Sequence, residues 1–183
     1  MIGKPKEAHL SIKSGDDEWY CNSYSPDLIA KHERNGPTVI YKAYRHWCER
    51  CHDDIPVDGH FDPDSFLSGR EQGQLLQVET KRANPQNYLI VSRTVAAQTT
   101  VHCSLQNLLN PLHRRILQFD LLECKETRRP LYQGINQLLD GVEATYRRIL
   151  LPVKDVDGKV TKVYSVYHLI GSYDRIPLDL ESI

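Results

Sequence analysis

Cys48-Glu49-Arg50-Cys51-His52 is the stretch whose residue types and spacing spell chemistry most directly. As CxxCH it would bond two haem vinyl groups through its thiols and ligate iron through His52, the attachment pattern of c-type haem. Zinc is a second use, with His60 or His102 joining Cys48, Cys51 and His52 in a tetrahedral set. A dithiol redox pair is a third. Against all three stands the spacing of Ile40, Ala43, Tyr44, Trp47, Cys48 and Cys51, which puts both thiols on one buried helical stripe. There a free Cys behaves as a small apolar side chain. No second CxxC or HxxxH pair stands at zinc-site spacing, so no metal site is expected.

Other pairings are weaker. Cys103 follows His102, but adjacent side chains point apart on either a helix or a strand, so adjacency is not a catalytic dyad. Asp53-Asp54, Asp62 with Asp64, and Asp155 with Asp157 fall in turn-rich stretches, where carboxylates cap and turn the chain. There is no Gly-rich phosphate loop. No catalytic residue is expected, and the chain does not read as an enzyme. The net charge of −1 over 183 residues, 26% of them charged, excludes nucleic-acid binding driven by bulk charge. No apolar run reaches membrane-span length and the start lacks a signal-peptide core. Five cysteines, an odd number, suit reduced thiols, and a cytoplasmic location is expected.

The elements that would position any site centre on Val142 to Gly171. Two runs rich in Val, Ile, Tyr and Leu flank Asp157-Gly158, a hairpin signal. Both runs are apolar on alternate faces, which asks for cover on both sides of a sheet. Pro152 has no N–H to donate and should end full pairing. Residues 1–37 are polar and read as an N-terminal extension, with a short helix over 26–34 and Trp19, Tyr20 and Tyr24 available to wrap on the body. A helix is predicted over 38–52, docking through Trp47. Strands follow at 74–80 and 87–94, a short helix at 104–109, a long helix from Asn110-Pro111 to about Glu126, and a strand at 130–139 ended by Asp140-Gly141. The tail, 173–183, has no strong pattern.

Helix, two strands, helices, three strands, with the helices collected on one side, is an α+β order. The chain resembles PAS domains, in the wording of a family of stand-alone bacterial, mostly alphaproteobacterial, PAS-like proteins. Trp47 on an early helix, the Pro56 to Asp62-Pro63 connection, Glu126-Thr127-Arg128-Arg129-Pro130-Leu131-Tyr132, and Ile149-Leu150-Leu151-Pro152 with Asp157-Gly158 carry that resemblance over 38–171. Ser92-Arg93-Thr94 departs from it where a Gly usually stands. The resemblance implies a five-stranded antiparallel sheet over 38–172, helices packed on one face, an N-terminal helix, and a cavity between sheet and helices. Its walls would be Tyr88, Ile90, Tyr146, Arg148, Tyr164, Val166 and His168, with Phe119 and Leu122 from the long helix. Tyr88, Tyr146 and His168 would be polar handles, and Arg93, Arg147 or Arg148 would receive a carboxylate or phosphate. The implied role is a sensory domain that binds a small molecule or a signalling partner protein, with a homodimer through the 38–52 helix. The alternatives are a metal or haem protein using Cys48, Cys51 and His52, or a small-molecule enzyme.

Overall fold

Among the described residues eight runs become strands: β1 (Ala8–Ser14), β2 (Asp17–Tyr24), β3 (Leu75–Glu79), β4 (Leu89–Thr94), β5 (Thr99–Ser104), β6 (Leu131–Leu139), β7 (Val142–Lys154) and β8 (Val160–Leu169). The helices are α1 (Ile29–His32), α2 (Val39–Arg50), α3 (Gly69–Gln72) and α4 (Pro111–Thr127). The structure is a computed structural model that describes residues 8–32, 38–51, 54–94 and 99–170. The 173–183 tail, His52 and the end of the 26–34 helix lie outside the described residues.

All eight strands join in one antiparallel sheet of order β1-β2-β6-β7-β8-β3-β4-β5. This corrects the expected five-stranded PAS-like sheet. The three strands missed by the sequence reading are the outer ones. In β2 the residues meeting the core alternate, Trp19 and Cys21 buried and Tyr20 exposed, and in β1, among the side chains described, only Ile12 is even half-buried. One covered face gives a half-polar strand, which reads as an extension rather than a core element. β5 hid in a mixed segment ahead of a short 3-10 turn at Leu105–Asn107.

The turns follow their residues. Asp140 and Gly141 both adopt positive φ (51° and 78°), the pairing that joins two strands by a tight hairpin in register with their twist. Asp155 Oδ1 accepts the Lys159 N–H at 2.9 Å across the β7–β8 turn, and Gly158 supplies its positive φ of 82°. α4 starts at Asn110, whose side chain accepts the His113 N–H at 2.9 Å, with Pro111 in the first turn where its missing N–H is harmless.

Cover comes from both sides, a second correction to helices on one face. Strand side chains alternate, and the pairings Gln133↔Arg148 and Arg148↔Tyr167 put these three on one face. α4 lies there, for its Asp120 bonds Arg148. The opposite face carries Ile149, Leu151 and Tyr164, covered by α2 and the 54–68 connection, where Phe61 meets the Tyr164 ring at 4.9 Å. The helical stripe of α2 is Val39, Ile40, Ala43 and Trp47, all buried. It is consumed inside the chain, so a dimer through this helix would have to use its outer side, where Arg45, Cys48, Glu49 and Arg50 are exposed.

Pro152 does not stop β7. Pairing with β6 ends at Leu131↔Leu150, while pairing with β8 continues past Pro152↔Val163. The N and O of one strand residue face the same edge, and at Pro152 that edge is the one β6 has left: its carbonyl accepts the Trp47 indole N–H at 2.9 Å. Two residues on, Lys154 uses the same edge, donating to Pro56 O (3.0 Å) and accepting from the Asp58 N–H (2.7 Å). The missing N–H therefore faces no strand and costs no ladder bond.

Candidate functional site

Face-sharing and register gather polar side chains in two places. The first is a buried layer between α4 and strands β2, β6 and β7. Arg148, 3% exposed, donates from Nε to Gln133 Oε1 at 3.1 Å and from Nη2 to the same oxygen at 2.5 Å. Nη2 also bonds Asp120 Oδ2 in a buried ion pair. Burial pushes the Asp120 carboxyl up from its ordinary value, against the pull of Arg148 and Gln133. Beside this pair, Tyr146 donates to Gln137 Oε1 at 3.0 Å. Trp19 stacks on His113 at 5.7 Å between ring centroids and meets Tyr146 edge-on at 6.5 Å. The Arg148 guanidinium lies 6.0 Å from the Trp19 ring. Burial holds the Cys21 thiol up at about 11.

His113 is buried, and desolvation first, then the Arg148 charge, push it down to about 4. A histidine in an unfolded chain titrates near 6.5. The folded pKa is the lower one, so the contribution of neutral His113 is present above about pH 6.5 and is lost as pH falls toward 4. The shift is worth roughly 3 kcal/mol at full extent. Urea midpoints at pH 7, 5.5 and 4.5 are expected to fall more steeply for the parent than for His113→Phe. Parallel profiles would remove His113 as the source.

The second place is an open cleft of about 480 Å³ between the C-terminal end of α4 and the β7–β8 turn, lined by Lys81, Lys125, Arg128 and Lys159, with Glu126, Asp155, Val160 and Thr161. Arg128 caps α4 in the left-handed region at φ 57°. It donates to Gly158 O at 2.7 Å and pairs with Asp54, which also takes Lys154 at 2.8 Å. These contacts hold the Asp54 carboxyl well below the usual range, the Lys154 bond most of all. Lys125 Nζ reaches Thr80 O at 2.7 Å and lies 5.3 Å from the Tyr88 ring centre.

The residues expected to wall one cavity are divided. Ile90, Tyr146 and Arg148 share the α4 face, but Ile90 on β4 is three strands from β7, about 14 Å at ordinary strand spacing. Tyr164, Val166 and His168 lie on the opposite face by register. Tyr88 is fully buried beside Lys125. Phe119 is 63% exposed, on the outer side of α4, so it walls nothing between helix and sheet. The Arg93 side chain lies outside the described residues. Asp120, Gln133, Gln137, Trp19 and His113 were missed. A signal existed for one of them: Asp120 stands between Ile116 and Cys124 at i+4 spacing, a lone carboxylate on a buried stripe.

The CxxCH stretch sits at the end of α2 with Cys48 exposed rather than on the buried stripe, and Cys51 half-buried. Burial raises both thiols, Cys51 to about 12, the reverse of an activated thiolate. Among the described residues no three of His, Cys, Asp and Glu converge as metal ligands, and no helix is long and apolar enough to cross a membrane. No family model, curated protein or solved structure matches the chain, and the resemblance to PAS proteins rests on sequence wording alone.

Proposed function

We propose that this chain is a cytoplasmic, non-catalytic binding domain that takes a small molecule or a protein partner and acts through altered association. The observation carrying this reading is the state of the buried layer, which holds an acid, a base and a thiol together. Asp120 is clamped by Arg148, His113 is held down near 4 and Cys21 up near 11. Proton transfer at neutral pH needs a group poised near that pH, and these three are placed far from it or locked in a pair. The layer serves as scaffold, and recognition falls to the open surfaces, including the cleft and the outer side of α2.

Native mass spectrometry with light scattering, on protein purified without added ligand or metal, tests the reading. A retained non-covalent organic mass, or self-association that a bound molecule changes, is the expected result. A Soret band or stoichiometric zinc would overturn it in favour of chemistry at Cys48, Cys51 and His52.

A further inference from the structure

The cleft beside the β7–β8 turn has a charge balance that the protein itself does not settle. Four cations line it against the carboxylates of Glu126 and Asp155. Arg128 is already paired with Asp54. Lys125 is fixed by backbone oxygens of Thr80 and Arg82 and sits in the last turn of α4, whose carbonyl end carries about half a negative charge. Asp155 is engaged with the Lys159 N–H, Glu126 is the other carboxylate of the lining, and the four cations outnumber the two. Lys81 and Lys159 remain: both are exposed, and among the described residues neither joins an ion pair. A second, independent feature is Thr161. It lines the same cleft, is 6% exposed, and its buried hydroxyl has no hydrogen-bond partner among the described residues. A buried hydroxyl in that state is destabilising unless something completes its bonding.

We propose that this cleft binds a small molecule through a phosphoryl group, with Lys81 and Lys159 closing on the anion and the Thr161 hydroxyl donating to it. Phosphate offers several acceptor oxygens and enough charge to answer two ammonium groups at once. A volume of about 480 Å³ falls in the range of small-molecule sites. The chain's net charge of −1 argues for a discrete metabolite rather than a nucleic-acid backbone, which is met by an extended basic face. The inference rests on the reading of the chain as a binding domain and specifies its ligand class.

The test is calorimetric titration of the full chain with inorganic pyrophosphate at constant ionic strength, in parent and in the Lys81→Gln/Lys159→Gln double variant. Neither side chain is buried, so the variant should keep the parent's thermal midpoint. Saturable one-to-one binding is expected, weakened at least tenfold in the variant and about threefold in Thr161→Val. A response to pyrophosphate that sodium chloride reproduces, or equal affinity in parent and double variant, would overturn the site. Tighter, length-dependent binding of a single-stranded oligonucleotide that displaces pyrophosphate would overturn the small-molecule assignment. An organic ligand retained in native mass spectra and unmoved by the double variant would sink the cleft yet keep the binding-domain reading. Hydrolysis of pyrophosphate would sink the reading itself.

Discussion

Arg148→Met is expected to lower the unfolding free energy in urea by roughly 3–5 kcal/mol, because it strands the Asp120 carboxylate in a layer where that group is 4% exposed. The size of the effect comes from the charge left behind, not from the attraction lost. Two consequences separate these causes. Replacing both partners, Arg148→Met with Asp120→Leu, removes the stranded charge and is expected to recover most of the loss. Burial favours the protonated carboxyl, so the single variant's deficit should shrink as pH falls through the range where Asp120 takes up its proton; the double variant should show no such recovery. A single variant within about 1 kcal/mol of the parent would mean that water reaches Asp120 and that the layer is not the closed scaffold described above.

Removal of residues 1–24 is expected to abolish the cooperative thermal transition altogether. The deletion takes away β2, whose register with β6 runs from Glu18↔Leu138 to Tyr24↔Tyr132. It uncovers Ile135 and Leu139, which pack with Trp19 and Cys21 in one buried cluster, and loss of the Trp19 contacts alone is worth about 3–5 kcal/mol. It also removes Asp17, whose carboxylate accepts both the Asn110 amide (2.8 Å) and the Asp140 N–H (2.9 Å), tying the start of α4 to the β6–β7 turn. The new edge would be a nine-residue strand open to pairing with other chains, so aggregation should accompany the loss. Differential scanning calorimetry and light scattering on residues 25–183 give the answer. A sharp transition near the parent's midpoint would mean that the 38–172 unit folds without the first hairpin.

The centre of the fold was legible because its signals are local. The β7–β8 hairpin announces itself through Asp157-Gly158, α2 through an apolar stripe read on to Cys51 although burial stops at Trp47, and α4 through Asn110-Pro111. The edges were not, since β2 buries only alternate residues, β1 leaves all but Ile12 exposed among its described side chains, and their apolar content is diluted by the solvent face. The candidate site was harder for a different reason. Whether Tyr146 and Tyr164 share a cavity depends on the pairing Tyr146↔Leu169 rather than Tyr146↔His168, and a one-residue choice of register sends every side chain to the other face. Lys81, Lys125 and Lys159 lie far apart in sequence and acquire a common cleft only when the end of α4 meets the β7–β8 turn.

Arg147 and Arg148 stand side by side in β7, and this makes charge a poor guardian of accurate folding there. A strand displaced by one position would still present a guanidinium toward Asp120, with Arg147 in place of Arg148. Pro152 is the feature that rejects such an error. Moved by one, its ring would face β8, where a ladder N–H is required, and the carbonyl that holds the Trp47 indole would turn away from it. The imino acid at the edge β6 has left thus acts as a proofreading residue, admitting one alignment of the longest strand and penalising its nearest competitor.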